Sequence, residues 1–289
     1  MNYKHPNKAN ECFLAMHYLG YHMFTLIKGD ILYDLLLRVF SEQNIIFISD
    51  NIEYLTSLVL SMYYLIQPFK WPFIIIPNLP LDLIEVIDSP VPFLIGLLFE
   101  PQKISTFLPK KFLDKNDCNI VVYSDKQLKF INKKDINFNE PKLGNMKKII
   151  IQNLSQIHFY ASSKRNEDYI QACEQLYKNI YGIIKENVAE EIDKIVRNES
   201  IFGFANSLKF SSETMKKYRS DSLDLDNCVI GDNDNDYEEE YKKYLQNMFI
   251  KNQKTENKDF AKEFVSTQIF ASYVDDVIEN FKRSEDDDD

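Results

Sequence analysis

The sequence is poor in the residues and motifs on which most recognisable catalytic sites depend. It has only 7 glycines and 4 histidines in 289 residues. It contains no Gly-x-x-x-x-Gly-Lys phosphate loop, no Gly-x-Ser-x-Gly elbow and no His-Glu-x-x-His pair. Because nucleotide hydrolases, serine hydrolases and zinc peptidases depend on these motifs, the sequence favours a binding or regulatory role. We predict no catalytic residue with covalent chemistry and no cofactor.

Cysteine is also scarce, which bears on disulfides and metals. The four cysteines are scattered without a Cys-x-x-Cys pair, at Cys12, Cys118, Cys173 and Cys228. A disulfide scaffold would be short and rich in cysteine, so a reducing cytoplasm is the expected compartment. Cys12, His17 and His22 are close enough to suggest a metal. Neighbours five residues apart do not share a helix face, however, and no fourth ligand is evident, so we predict no metal.

Long apolar runs are missing. The segment 13–27, "FLAMHYLGYHMFTLI", is too short to span a bilayer and is interrupted by two histidines. A secretory signal is the alternative, but no small-residue cleavage site follows the segment. We therefore predict a packed helix or strand here.

Clustered positive charge is absent, and negative charge is unevenly spread. Residues 1–150 carry 16 Lys and Arg against 15 Asp and Glu, whereas residues 151–289 carry 18 against 29. This balance argues against nucleic acid as a partner, because phosphate binding depends on clustered cations. It also indicates two regions of different character.

The first half predicts an α/β fold. A helix is expected over 30–40, capped by Asp30, and strands over 44–49, 73–77, 93–99 and 119–125. Asp50 with Glu53 resembles a capping box, and Ile52, Leu55, Leu58, Val59, Met62 and Ile66 then recur at helical spacing. A further helix is expected after Pro80. Alternating strands and helices predict a three-layer sandwich with a mainly parallel sheet.

The second half predicts an all-α subdomain. Apolar side chains step by three and four in three segments, which run from Cys173 to Ile195, from Tyr237 to Phe249 and from Phe260 to Phe281. Between the first two, the acidic segment 220–240 is predicted to be a mobile loop. Its "DNDND" also resembles a calcium loop, but Tyr237 and Lys243 stand where an EF-hand requires glycine and glutamate. Residues 284–289 are predicted to be a disordered acidic tail.

Prolines are concentrated in one stretch, with seven of the ten between Pro68 and Pro101. Four short motifs follow one another there and just before it: "IIFIS" at 45–49, "QPFKW" at 67–71, "IIIPNLP" at 74–80 and "IDSPVPFLIG" at 87–96. Their order and spacing over about 70 residues resemble the central part of the DENN module. The segment 258–279, "KDFAKEFVSTQIFASYVDDVIE", is similar to the last helices of that family. One departure is that Gln43 and Asn44 stand where the family usually has cations.

The resemblance implies a domain plan. It comprises an N-terminal extension over 1–29, a cDENN-like α/β lobe over 30–131, a linker over 132–153 and a dDENN-like helical lobe over 154–283. The family's module starts with a longin-like lobe of roughly a hundred residues, and only about 29 residues precede the match here. We therefore expect either a fragment or a chain without that lobe.

The resemblance also implies a function. DENN modules act chiefly as guanine-nucleotide exchange factors for Rab-type small GTPases in vesicle trafficking. The expected partner is thus a Rab-type GTPase, and the expected location is the cytoplasm, with peripheral association with vesicle or endosomal membranes. Two alternatives are a DENN scaffold that binds a GTPase or another protein without driving exchange, and a flavodoxin-like small-molecule enzyme, whose phosphate loop is missing.

Two sets of residues follow from this interpretation. Most motif positions are expected to be scaffold: Pro68, Trp71, Pro77, Pro80, Pro90, Pro92, Phe93 and Gly96. Trp71 is expected to be a packed anchor with its indole N–H satisfied. Ligands of open parallel sheets bind outside the carboxyl ends of the strands. That rule makes Ser49, Asp50, Asn51 and Asn78 the candidate contacts for a partner.

Overall fold

The computed structural model describes residues 8–108, 118–124, 127–163, 165–198 and 234–286. The first part of the chain forms α/β structure. Its helices are α1 (Lys8–Leu26), α2 (Gly29–Phe40), α3 (Ile52–Leu65) and the short α4 (Ile104–Phe107). Its strands are β1 (Ile45–Ser49), β2 (Ile74–Ile76), β3 (Phe93–Leu98), β4 (Asn119–Ser124) and β5 (Gln127–Asn132).

The five strands form one sheet in the order β2-β3-β1-β4-β5. The first four strands in this order are parallel, and β5 pairs antiparallel with β4. The four strands expected from the sequence are confirmed, and β5 is an addition. The helix expected after Pro80 is a 3₁₀ segment, Leu81–Asp88, in which Leu83 leaves helical geometry.

Apolar side chains cover both faces of the sheet, which confirms the α/β sandwich. One face packs under the 3₁₀ segment and α4 through alternate strand residues such as Ile46, Phe93 and Ile120. The opposite face, with Phe47 and Leu94, packs against α1, α2 and α3. The segment 13–27 therefore belongs to a packed helix, α1.

The second part of the chain is helical throughout its described residues. It contains α5 (Met146–Ser162), α6 (Asn166–Ile184), α7 (Glu190–Asn198), α8 (Asp234–Asn252), α9 (Lys258–Phe264) and α10 (Gln268–Asp286). A π turn, Lys185–Ala189, joins α6 to α7, so that one helical run passes from 166 to 198 as the spacing predicted. The last predicted helix is instead broken in two, because Thr267 donates to the Phe264 carbonyl and accepts from the Phe270 N–H.

Several helices begin or end at residues other than those predicted from the sequence. Helix α5 starts at Met146, inside the predicted linker over 132–153. Helix α8 starts at Asp234, inside the predicted acidic loop, whose residues 220–233 lie outside the described part of the chain. Helix α10 reaches Asp286, and only residues 287–289 of the predicted tail lie beyond it. The cap of α2 is also different: Lys28 takes the N-cap position, and Asp30 lies in the first turn.

The α/β part and the helical part share one core. Phe40 of α2 lies edge-on to Phe260 and Phe264, with ring centroids 6.2 and 5.6 Å apart. Phe69 packs on Phe264 and on Tyr273. A single apolar cluster therefore continues from the sheet into the last helices. Edge-on aromatic pairs add about 0.5–1.5 kcal/mol each beyond the area they bury.

Glu42 links the α/β part to the helical part by a hydrogen bond at the start of α10. Its side chain accepts a hydrogen bond from the Ile269 N–H at 2.7 Å, and its own backbone adopts a positive φ of 52°. Burial raises the pKa of Glu42, and the backbone donors of Ile269 and Gln268 oppose this rise without cancelling it.

A glutamine at position 42 is expected to remove a pH dependence. Because the pKa is raised in the folded state, the wild-type chain takes up protons on folding, and its stability falls as pH rises above the ordinary value of 4.5. Glu42→Gln keeps an acceptor oxygen but does not titrate. Urea unfolding at pH 4, 5, 6 and 7 should show the variant gaining stability relative to wild type as pH increases. A relative loss with rising pH would contradict this account of Glu42.

Candidate functional site

The carboxyl ends of β1, β2 and β3 meet at one edge of the sheet, which we call the carboxyl edge. It comprises residues 49–53, 77–79 and 98–100. The loops that leave the three strands are held in place by backbone hydrogen bonds. Phe99 donates to the Ser49 carbonyl at 3.1 Å, and Leu79 donates to the Gly96 carbonyl at 2.8 Å. These bonds fix the relative positions of the three strand ends.

The four candidate contacts all lie at this edge, with different exposure. Ser49 is fully buried, and its hydroxyl accepts from the Asn51 N–H at 3.1 Å, so that it supports the turn from below. Asp50 and Asn78 are exposed, and Asn51 is half-buried. A partner that docks on this edge therefore meets Asp50 and Asn78 first.

Asn51, rather than Asp50, caps the helix that follows. Its side-chain oxygen accepts from the N–H groups of Glu53 and Tyr54 at 2.9 and 3.1 Å. The predicted capping box of Asp50 with Glu53 is therefore wrong, because Tyr54 stands at the third position after the actual cap, and Asp50 is exposed. Asn51 has extended backbone geometry, as N-caps require.

Two apolar side chains at the edge were not expected to be exposed. Ile52 at the start of α3 is 50% exposed, and Leu98 at the end of β3 is 36% exposed. Ser49 and Leu98 are register partners. One turn further along α3, Leu55 packs over Gly96, which shares a face of β3 with Leu98. Ile52 and Leu98 therefore lie at the same end of the sheet face that α3 covers, and we call them the apolar pair.

Sequence reasoning missed the apolar pair because periodicity assigned Ile52 to the buried face of α3. A signal was nevertheless present. Ile52 is the first residue of α3 after a tight turn from β1, so it lies level with the end of the strand rather than over the middle of the sheet. An apolar side chain there has no core to enter, which marks it as a potential contact.

Carboxylates surround the apolar pair. Asp50 and Glu53 are exposed, and Glu100 pairs with Lys103 at 2.9 Å. The field of Asp50 extends to Tyr123 at the end of β4. The pKa of Tyr123 is raised chiefly by burial and then by Tyr54 and Asp50. The edge as a whole is a small apolar surface with an acidic rim, which suits a partner with a complementary basic rim.

The motif residues are divided between the two ends of the sheet: Pro77, Pro80 and Gly96 lie near the carboxyl edge, and the other motif residues lie before or at the starts of β2 and β3. Trp71 is 5% exposed, and its Nε1–H donates to the Ile74 carbonyl at 3.3 Å. Pro77 passes directly over Gly96, and Phe93 at the start of β3 is fully buried. Pro68, Pro77 and Pro92 are half-buried, and Pro80 and Pro90 are exposed at the ends of the 3₁₀ segment.

Covalent or metal chemistry has no support among the described residues. In that part of the chain, no group of three or more His, Cys, Asp or Glu side chains could hold a metal ion. Cys173 is buried, and burial is the chief cause that raises the pKa of its thiol to about 12. A thiol with that pKa carries almost no thiolate at neutral pH. The side chains of Cys12 and His17 and all of Cys228 lie outside the described residues.

These features define an α/β domain with an exposed apolar edge and a helical region packed against the helices that cover one face of its sheet. Residues 5–113 match the sequence profile of the DENN (AEX-3) domain. DENN domain-containing protein 2A of Mus musculus is 41% identical over 68 residues, which are 24% of this chain and 7% of that protein. DENN domain-containing protein 2B of Homo sapiens is 37% identical over 79 residues, which are 26% of this chain and 6% of that protein.

Residues 5–113 are thus similar to the DENN (AEX-3) domain, which confirms over that stretch the resemblance seen in the sequence. The match starts at residue 5 and so includes α1, which had been placed in an N-terminal extension. The aligned stretches span less than a tenth of the length of these relatives. None of the described helices combines the length and the apolarity needed to cross a membrane.

Proposed function

We propose that this chain is a DENN-type guanine-nucleotide exchange factor, or part of one, for a Rab-type small GTPase. We further propose that the GTPase docks on the carboxyl edge. The match of residues 5–113 to the DENN domain is the observation that carries this proposal. The proposed setting is the cytoplasm, with peripheral association with vesicle or endosomal membranes during trafficking.

Exchange requires no covalent catalyst from this chain. An exchange factor binds the nucleotide-free GTPase more tightly than the loaded one, and by linkage it weakens nucleotide affinity by the same factor. What it must supply is a surface that holds the regions around the nucleotide in an altered position. A rigid sheet edge with apolar side chains and a charged rim is suited to that task.

The test is release of fluorescent GDP from a panel of purified Rab-type GTPases. Acceleration of at least one member by catalytic amounts of the chain is the expected result. Unchanged release across the panel, together with no binding, would exclude both the exchange factor and a GTPase scaffold. Binding without acceleration would instead support the scaffold.

Charge on the apolar pair is expected to abolish docking without harming the fold. Asp at position 52 suits the first turn of a helix, and the Leu98 side chain already reaches water. We expect the double variant Ile52→Asp/Leu98→Asp to lose at least about tenfold in GTPase affinity, as central interface residues do. Surface plasmon resonance measures this loss.

Phe159→Asp provides the matched control. Phe159 is 59% exposed on α5, away from the carboxyl edge, and the change adds the same kind of charge to an apolar surface position. It should leave affinity within about twofold of wild type, as for substitutions outside a hot spot. Equal loss in both variants would mean that the effect is not specific to the edge.

A further inference from the structure

A groove opens between α1, α3 and α6, next to the carboxyl edge but separate from it. Its volume is about 420 Å³, which lies within the range of small-ligand sites. Its lining combines aromatic rings with polar tips: Tyr21, His22, Thr25, Leu26, Tyr54, Asn166, Tyr169 and Ile170.

Four aromatic rings stand in two pairs in this groove. Consecutive residues of α1 each pair with a different helix: Tyr21 with Tyr169 of α6, and His22 with Tyr54 of α3. The centroids are 5.5 Å apart in both pairs. Flat aromatic surfaces with a negative face attract cations, and guanidinium groups stack on them especially well.

The two sides of the groove differ in their hydrogen bonding. On the α6 side, the Tyr169 hydroxyl is engaged with the Tyr21 carbonyl at 2.7 Å and with the Thr25 hydroxyl. On the opposite side, the His22 ring and the Tyr54 hydroxyl have no hydrogen-bond partner within the described part of the chain. These half-buried groups offer acceptor atoms to a ligand that carries several N–H donors.

Two acidic residues adjoin lining residues of the groove in the chain. Glu53 precedes Tyr54, and Glu167 follows Asn166 in the first turn of α6. The pKa of Tyr21 is raised to about 12, chiefly by burial and then by the charges of Cys173 and Glu174. Two cations in and before α6 are paired with acids: Arg165 lies 3.9 Å from Asp168, and Lys178 lies 4.0 Å from Glu174.

We propose that this groove binds an arginine side chain presented by a protein partner. The guanidinium stacks between the Tyr54 and Tyr169 sides, donates to the free acceptors of His22 and Tyr54, and faces the carboxylate of Glu53. Arginine suits the groove better than lysine, because its planar fork can stack and donate several hydrogen bonds at once. This proposal needs no GTPase, although Glu53 also belongs to the carboxyl edge of the exchange proposal.

The probe is the acetylated and amidated tripeptide Gly-Arg-Gly, compared with Gly-citrulline-Gly, which has nearly the same shape without the charge. Ligand-observed NMR on the full chain gives both dissociation constants. We expect saturable binding of the arginine peptide and at least about fivefold weaker binding of the citrulline peptide, as a partly desolvated cation–π contact implies. Equal dissociation constants for the two peptides would overturn the proposal. So would a failure of the arginine peptide to saturate the chain at peptide concentrations up to about 20 mM.

Substitutions in the groove test whether the arginine peptide binds there. Tyr54→Leu removes a ring while keeping an apolar side chain, and Glu53→Gln removes a rim charge at an exposed position. Each should weaken the arginine peptide by about threefold or more. Glu256→Gln, an exposed carboxylate in the helical region, should have no effect. If all three variants bind alike, or if tetramethylammonium binds as tightly as the arginine peptide, the groove is not an arginine site.

Discussion

Replacing Gly96 with alanine is expected to cost about 3 kcal/mol of folding free energy, the upper end for an overpacked methyl group. A Cβ at this position would lie 2.1 Å from the Pro77 carbonyl oxygen and 2.8 Å from Leu55 Cγ. The Pro77 carbonyl belongs to the backbone of a turn that also bonds to Gly96 through the Leu79 N–H. The turn cannot retreat without losing that bond, so strain is unavoidable.

Urea unfolding monitored by circular dichroism measures this loss. Gly182 provides the control, because a Cβ there meets no atom within 4 Å and the residue lies inside α6. Gly182→Ala should be neutral or stabilising by about 0.5–1 kcal/mol, since alanine is the better helix former. If Gly96→Ala were as stable as Gly182→Ala, the close approach of Pro77 to β3 would be wrong.

Replacing Arg38 with methionine is expected to have an effect of similar size for a different reason. Arg38 is 1% exposed, and its Nη1 donates to Gln43 Oε1 at 2.8 Å, to Asn119 Oδ1 at 2.5 Å and to the Lys134 carbonyl. Its Nε donates to Asp34 at 3.1 Å. Methionine fills the space but removes these charge-assisted hydrogen bonds. Gln43 Oε1, Asn119 Oδ1 and Asp34 each keep another donor, from Asn119, the Lys134 N–H and Lys133, so we expect a cost of about 3 kcal/mol.

This arginine network gives structural roles to Gln43 and Asn44, at which the sequence departs from the DENN pattern that it resembles. Gln43 and Asn44 occupy positions where cations are usual, and both work in the network at the amino ends of the strands. Asn119 donates to Gln43 Oε1 at 3.0 Å, and the Phe93 N–H donates to Asn44 Oδ1 at 3.2 Å. A second cation beside buried Arg38 would add repulsion, whereas neutral amides can donate and accept.

Arg165→Met is the matched control for Arg38→Met. Arg165 is 60% exposed and lies 3.9 Å from Asp168. Removing such a surface pair should change stability by less than about 0.5 kcal/mol. Equal effects of the two substitutions in urea unfolding would contradict the central position of Arg38.

The sequence predicted the sheet well because its signals are local. The strands are short β-branched and aromatic runs, and prolines separate strands from turns in the 68–101 stretch. Strand β5 was missed although Leu128 and Phe130 alternate with exposed Gln127 and Lys129. That alternation is typical of an edge strand with one covered face, and it is weaker than the signal of a fully buried strand.

The site was harder to predict because it depends on neighbours distant in the chain. Exposure of Ile52 follows from where the sheet ends, and helical spacing alone assigned it to the core. The groove brings together His22, Tyr54 and Tyr169 from three helices, and no local pattern relates them. The cap at Asn51 rather than Asp50 shows the same limit at short range, because either side chain satisfies the motif.

The central claim is that the carboxyl edge binds a Rab-type GTPase in its nucleotide-free state. The most direct measurement is the affinity of this chain for one responsive GTPase, nucleotide-free and GDP-loaded, in the wild type and in Ile52→Asp/Leu98→Asp. The account predicts that the wild-type chain binds the nucleotide-free GTPase more tightly than the GDP-loaded one. By linkage, the ratio of these two affinities equals the factor by which the chain weakens GDP binding. The double variant should lose the tight binding to the nucleotide-free form. Equal affinity for both forms, or full binding by the double variant, would contradict it.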